Sequence, residues 1–319
     1  MSTSIKQRFI WADNLRALLI YLVVLGHCIQ YTDAGYQENF LFYLIYSFHM
    51  PLFMFVSGFV SWKEDVTLRV IGRRFMQLLV PFFVYTLLAA IIKWDINIFF
   101  STVLRPERGL WFLWALFFIV LFRTIACLIA RHLNIRPVFV DIVLFVALCV
   151  GGHFFDRFCL PTIAKFYLFY TLGSYARKYE DIVYNKKYII IILIVSFLVW
   201  VSFVVVGFRD ATGIGDNTIF KWLLSIVGIM AFTSLFKMSE FNNKLILAVG
   251  RGTLGIYAIH WYLLWFMRIK PILFGNDLLY YFFLIVMSVA LLTVSFLLVS
   301  LLRKNRITRC LFLGERAKQ

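Results

Sequence analysis

Apolar residues fall in ten blocks along the chain, covering approximately 12–32, 40–62, 75–94, 110–130, 138–155, 161–177, 188–208, 219–236, 248–267 and 278–302. Most are close to the ~20 residues that an α-helix needs to cross ~30 Å of hydrocarbon. The pattern therefore predicts an all-α fold, a polytopic transmembrane helical bundle of about ten spans. The fifth and sixth blocks are the weakest, being short and interrupted by Gly151, Gly152, His153 and Pro161. No internal repeat, low-complexity stretch or interdomain linker divides the blocks, so residues 1–319 are expected to form one membrane-embedded domain.

Composition strengthens this picture. Of 319 residues, 62% are hydrophobic and only 15% charged, with mean hydropathy +0.87. A soluble domain has roughly 45–50% apolar and about 25% charged residues. The net charge of +16 excludes nucleic-acid binding rather than favouring it, because Lys and Arg cluster in the short connections, as membrane topology requires. Counted on alternate sides, 23 of the 32 Lys and Arg lie on the side holding both termini and nine on the other. That bias predicts cytoplasmic termini in a multi-pass protein of the inner (cytoplasmic) cell membrane. Lys6 and Arg8 precede the first block as in a signal peptide, but the block runs on into a full span without a small-residue cleavage site and reads as a retained helix. Cys28, Cys127, Cys149, Cys159 and Cys310 show neither a C-x-x-C motif nor metal spacing with histidine, so no disulfide framework or metal site is expected.

Candidate chemistry lies in the ionisable residues inside spans, which are costly there and default to functional readings. Arg16 and His27 are eleven residues apart. At 100° per residue they share a helix face, separated by about 16 Å along the axis. Asp13 can pair with Arg16 across one turn. The spacing suits an extended ligand, anionic at its cytoplasmic end and reactive at the other, and a pantetheine arm has that general length. Histidine is the natural base for a hydroxyl near neutral pH. The competing reading makes Arg16 a topological anchor and His27 a packing residue. Arg69, Arg73 and Arg74 precede the third span at a cytoplasmic entrance, suiting either phosphate or anionic lipid. Pro81 in that span is expected to bend it.

His49 stands in Phe48-His49-Met50-Pro51-Leu52-Phe53. Proline there frees a backbone carbonyl within the membrane, so His49 either caps the break or serves the acceptor or His27. His260, near mid-depth of the ninth span, has both a helix-bridging and a site reading. Trp111 and Trp114 form an interfacial belt or a stacking surface for a sugar. The loop 209–217 matches no complete calcium pattern and reads as solvated.

Trp11-Ala12-Asp13-Asn14-Leu15-Arg16, followed by Leu22-Val23-Val24-Leu25-Gly26-His27, resembles the opening signature of the membrane acyltransferase family 3, closest to its fucose 4-O-acetylase-like branch. Phe48 to Phe53 with Ser57-Gly58-Phe59, Arg73-Arg74 with Pro81, Leu110-Trp111-Phe112-Leu113, Leu172-Gly173, and Gly250 to His260 follow in the family's order. The resemblance implies a ten-helix O-acyltransferase moving an acyl group, usually acetyl, from cytoplasmic acyl-CoA to a carbohydrate hydroxyl. It also implies that His27 is catalytic and that Arg16 with Arg73 or Arg74 holds the donor. The family often has a second basic residue three positions after the one matching Arg74; Gln77 stands there instead, which leaves Arg69 or Arg73 as the expected substitute. The expected donor is acetyl-CoA or another acyl-CoA, without a metal. The expected acceptor is an exopolysaccharide, O-antigen or lipid-linked glycan. The rival class is a transporter or lipid-linked-sugar flippase, using Arg16 and His27 as substrate or proton sites.

Overall fold

The computed structural model describes residues 9–64, 66–209, 213–239, 241–267 and 277–315. Lys6, Arg8, the 210–212 part of the outer loop, Arg268, Lys270, Arg316 and Lys318 lie outside these described residues. Among the described residues the chain is helical, with no strand. Helices occupy all ten predicted blocks: α1 Ile10–Thr32, α2 Phe40–Tyr46 with α3 His49–Ser61, α4 Arg69–Ile92, α6 Trp111–His132, α7 Pro137–Phe154, α8 Leu160–Lys178, α9 Ile189–Phe208, α10 Thr218–Met238, α11 Lys244–Arg251 with α12 Thr253–Met267, and α13 Asp277–Leu302. Further short helices lie outside the predicted blocks, among them α5 Asn97–Leu104, the single turn Glu180–Val183 and α14 Arg306–Leu313. Eight of the segments are long and apolar enough to cross a membrane, so the protein is a multi-pass helical membrane protein. The two that fall short are α8 and the α11–α12 pair.

The apolar deficit of α8 has a structural cause. This helix is packed inside the bundle, where Tyr167 and Phe169 are fully buried, and its polar groups find partners in protein rather than lipid. It meets α3 through two glycines. A Cβ on Gly58 would lie 2.0 Å from the Tyr170 carbonyl oxygen, and one on Gly173 would lie 2.0 Å from that of Phe55. No side chain fits at either place, and small residues of this kind let membrane helices approach backbone to backbone. Gly250 does the same for α11 against α1, where a Cβ would come 1.9 Å from the Asp13 carbonyl oxygen.

Two prolines shape the spans as their chemistry requires. Pro51 has no N–H for the Ser47 carbonyl four residues back, and the second span breaks between α2 and α3. Ser225 Oγ donates to the freed Ser47 carbonyl at 2.8 Å, and His49 Nδ1 donates to the Ile45 carbonyl at 2.7 Å. His49 thus caps the break, as one of its two readings expected. Pro81 follows a π-helical turn, Phe75–Leu79, inside α4; the widened turn accommodates the ring and the missing donor.

Arg123 corrects the charge count. It is one of the 23 cations counted on the side holding both termini, yet it lies within α6, 11% exposed, and pairs with Asp141 of α7 at 3.1 Å. Tyr167 and Tyr175 of α8 donate to the two Asp141 oxygens at 2.7 and 2.5 Å. Removing one such charge costs about 3–5 kcal/mol, because its partner is left buried and uncompensated. Asp141→Ala is therefore expected to lower the melting temperature in detergent strongly. The double change Asp141→Leu with Arg123→Leu should recover much of the loss. Equal melting of the single variant and the wild type would refute the pairing.

Candidate active site

Phe9, at the start of α1, and Glu315, after α14, line one cavity, so both described ends of the chain lie on the same side of the bundle. This inner cavity, of about 510 Å³, also holds Asp13, Arg16, Arg74, Gln77 and Arg251. Arg16 lies one helical turn from Asp13, with Nη1 3.8 Å from Oδ1. Arg251 Nε approaches the other Asp13 oxygen at 3.5 Å. The expected pairing of Asp13 with Arg16 is present, and a second arginine, reaching in from α11, shares the carboxylate. Arg74 Nη2 donates to Ser61 Oγ at 2.6 Å and Nη1 to Gln77 Oε1 at 3.2 Å. Gln77, the departure in the arginine motif, thus orients Arg74, and Arg251 supplies a further cation at the inner cavity.

A second cavity of about 610 Å³ shares the wall of Val60, Ser61, Arg74 and Gln77 with the first. Its lining is strongly basic: Lys63, Arg73, Arg123, Arg131 and Lys178 join Arg74 there, against one acid among the described residues, Glu64. Arg73 is exposed and reaches only this cavity; Arg69 is exposed and lines neither. Of the two expected substitutes for the missing cation, the structure brings in Arg73 and leaves out Arg69.

Beyond the inner cavity the helices close to an apolar neck with a void of about 10 Å³, lined by Ile20 and Val23 of α1, Met50 and Phe53 of α3, Phe112 of α6, and Thr253, Leu254 and Tyr257 of α12. Phe53, Phe112, Thr253 and Leu254 also face the inner cavity. Met50 faces an outer cavity of about 970 Å³ as well. The three chambers are thus linked by shared lining residues, the outer one through Met50 of α3, while the inner cavity and the neck also border α1.

The histidines cluster at the outer side of the neck. His27 Nδ1 and His260 Nε2 are 2.9 Å apart, with the rings stacked at a 13° interplanar angle. Their tautomers follow from one fixed acceptor. His260 Nδ1 lies 2.8 Å from the Ile256 carbonyl oxygen, which only accepts, so Nδ1 carries the proton. In neutral His260, Nε2 is then the acceptor, and His27 must donate from Nδ1. That leaves His27 Nε2 with a free lone pair. His260 is fully buried and His27 partly exposed, and Trp261 packs edge-on against the His27 ring. The same logic applied to His49, whose Nδ1 donates to Ile45, leaves its Nε2 unprotonated.

His27 is not among the residues lining these cavities; His49 lines the outer one. Around His49 the outer cavity presents Tyr46, Trp111, Phe166, Lys165 and Glu107, with Asp216 and Lys221 at the loop side. Trp111 stacks on Phe166 with centroids 5.4 Å apart. Trp114 is taken out of the site, because it is buried and its indole N–H donates to the Phe158 carbonyl at 2.9 Å. Of the loop at 209–217, Gly213, Gly215 and Asp216 border the cavity, and the Asp216 side chain stays 94% exposed, in keeping with a solvated loop. Among the described residues no three His, Cys, Asp or Glu side chains gather to hold a metal ion. Arg251 and the His27–His260 bond were not legible in sequence, since each depends on how distant helices pack; the run from Gly250 to His260 was the only signal.

Two curated relatives share part of this chain. Nodulation protein NolL of Sinorhizobium fredii (strain NBRC 101917 / NGR234) is 36% identical over 129 residues, covering 36% of this chain and 35% of the relative. Nodulation protein NolL of Mesorhizobium japonicum (strain LMG 29417 / CECT 9101 / MAFF 303099) is 34% identical over 129 residues, covering 33% and 32%. The aligned part thus spans about a third of each relative's length. No solved structure matches the chain. The family described as "Acyltransferase domain" matches residues 9–299, helices α1 to α13, and the chain belongs to that family, the membrane acyltransferase family 3.

Proposed function

We propose that the protein is a membrane O-acyltransferase that takes an acyl group, chiefly acetyl, from cytoplasmic acyl-CoA and places it on a hydroxyl of a cell-surface or lipid-linked carbohydrate. One observation carries the reading: an arginine-lined inner cavity and an aromatic, polar outer cavity meet at an apolar neck with histidines beside it. The excess of Lys and Arg on the inner side supports a cytoplasmic inner cavity and a location in the cell's inner membrane. Arg16, Arg74 and Arg251 hold donor phosphate there, and the adjoining basic cavity has room and charge for the nucleotide end. Guanidinium groups suit this work because they bind phosphate bidentately. The pantetheine arm then runs along α1 and delivers the thioester at the outer side of the neck.

His27 Nε2 takes the proton of the acceptor hydroxyl as its oxygen attacks the thioester carbonyl carbon. The tetrahedral intermediate collapses with loss of the C–S bond, and the departing thiolate recovers that proton from His27. The products are the carbohydrate ester and free CoA thiol. His260 is a positioning residue, holding the tautomer that leaves Nε2 free. A void of about 10 Å³ admits about one water, so even the slender pantetheine arm must displace neck side chains, whereas a whole sugar would require four packed helices to part, which favours group transfer over the transporter alternative. A second arrangement has one observation behind it: His49 lines the outer cavity with its own free Nε2. There His49 takes the proton and His27 orients the donor.

Purified full-length protein in nanodiscs, given radiolabelled acetyl-CoA and nitrophenyl glycosides of fucose, glucose and N-acetylglucosamine, tests the reading. His27→Ala is expected to lower kcat by about 10²–10⁴-fold and His49→Gln by far less; the reverse ranking installs His49 as the base. Consumption of no donor would reject acyl-CoA dependence. His260→Phe should reduce kcat on the order of 10²-fold with the KM for acetyl-CoA unchanged, since misplacing a reacting group costs that much. His260→Gln, whose oxygen can still accept from His27 Nδ1, should restore most of it. If Phe and Gln behave alike, His260 serves packing alone. Arg251→Ala should raise the KM for acetyl-CoA about tenfold or more, the value of a charge-assisted contact, and leave kcat nearly unchanged.

A further inference from the structure

The basic cavity of about 610 Å³ gathers cations from four helices. Lys63 lies just beyond α3, Arg73 and Arg74 belong to α4, Arg131 to α6 and Lys178 to α8. Topology asks only that Lys and Arg stay on one side of the membrane; it does not ask that they converge on one cavity. Arg123 is there too, but Asp141 already neutralises it. Lys63, Arg73 and Lys178 are exposed, and none forms an ion pair with a described residue. Uncompensated charge of one sign, focused in a walled cavity, draws in a multivalent ion of the other sign.

The order of the two cavities matches the order of groups in CoA. Val60, Ser61, Arg74 and Gln77 form the wall common to both. CoA carries its diphosphate between the pantetheine arm and the nucleoside, and a third phosphate on the 3′ position of the ribose. With the diphosphate beside Arg74 and the arm directed into the inner cavity, the ribose and its 3′-phosphate fall in the basic cavity. We propose that Lys63, Arg73 and Lys178 form a 3′-phosphate site, which makes the enzyme selective for CoA over donors lacking that group. The inference rests on the acyl-CoA reading above. A phosphate monoester is close to a dianion near neutral pH, so it gains more from clustered cations than either phosphate of the diphosphate does. Trp62, in the same lining, offers the adenine a stacking surface. An anionic lipid headgroup shares the phosphate chemistry, and the choice of nanodisc lipid separates the two sources.

Acetyl-CoA and acetyl-3′-dephospho-CoA are compared as donors for the full-length protein with the same nitrophenyl glycosides, in nanodiscs of phosphatidylcholine with and without phosphatidylglycerol. Wild-type kcat/KM should be about tenfold or more lower for the dephospho donor, the value of a charge-assisted contact, chiefly through KM and in both lipids. The triple change Lys63→Ala, Arg73→Ala and Lys178→Ala should bring the two donors within about twofold of each other, since phosphate and cations lose the same interaction. Each ratio is taken within one protein sample, so a smaller folded fraction cancels. Should the triple variant fail to fold, the wild-type ratio and Lys178→Ala alone, which should lower that ratio, decide the matter. Equal use of the two donors by the wild type, or an unchanged ratio in the variants, overturns the 3′-phosphate site while leaving acyl transfer intact. A variant effect confined to phosphatidylglycerol nanodiscs and alike for both donors assigns the cluster to lipid and overturns it as well. Transfer from neither donor overturns the acyl-CoA reading and the site with it.

Discussion

A backbone carbonyl inside a membrane span has no water to turn to, and the site depends on how this constraint is met at one place. Breaking the second span at Ser47 and Phe48 frees carbonyls that in lipid would each cost several kcal/mol. Ser225 of α10 and the His49 side chain accept that burden by donating to Ser47 and Ile45. The Trp200 indole adds a contact at 3.3 Å to Ser47 Oγ, which ties α9 to the same point. Because the break is satisfied, the chain can change direction there. Tyr46 and His49 then turn into the outer cavity, and Met50 reaches the neck. His49 cannot cap with Nδ1 and keep that proton available, so the structural bond decides which nitrogen remains for chemistry.

The same economy governs the cations. Arginines in a bundle of this kind either find an acid or await an anion. Arg123 has found Asp141 and two tyrosine hydroxyls near that carboxylate, and is held in place. Arg16 and Arg251 share the single carboxylate of Asp13 at 3.8 and 3.5 Å, distances at which neither forms a close bidentate pair. Arg74 is held by neutral oxygens of Ser61 and Gln77. Orienting an arginine with neutral partners leaves its charge uncompensated, which on the proposed reading serves phosphate better than a second cation at position 77 repelling the first. Glu315, the other acid in the cavity, is occupied by Arg303 at 2.7 Å.

What the sequence disclosed follows the range of the forces involved. Helix periodicity is local, so the ten blocks, the shared face of Arg16 and His27, and the Asp13–Arg16 contact could all be read from spacing alone. Proline chemistry is local too, and the break before Pro51 was foreseeable with its cap. Contacts between helices were not. In sequence Arg251 is one more of the cations on the side holding both termini; only the packing of Gly250 against Asp13 brings it to the cavity. Arg123 looked like a loop residue because its partner, Asp141, is 18 positions away on another span. Trp111 and Trp114 are three apart, yet one faces a cavity and the other donates to the Phe158 carbonyl; aromatic character alone could not separate them. His260 was a lone polar residue with two readings until α12 packed on α1.

These packing contacts make α1 a fixed measure between the two ends of the site. At its inner end Gly250 of α11 meets the Asp13 carbonyl with no room for a side chain, and Arg251 engages the Asp13 carboxylate. Near its outer end His27 bonds His260 of α12. Only Gly252 separates α11 from α12, so both clamps belong to one broken helical segment packed against α1. A slide of α1 by even one residue, about 1.5 Å, would break the histidine bond and drive Gly250 into backbone. The distance from the arginines to the imidazole is therefore held by packing against α11 and α12, and on the proposed acyl-CoA reading a donor anchored by phosphate would present its thioester at one depth. Rigid spacing, more than any single residue, is what turns a row of polar groups in an apolar bundle into a place where a reaction can be aimed.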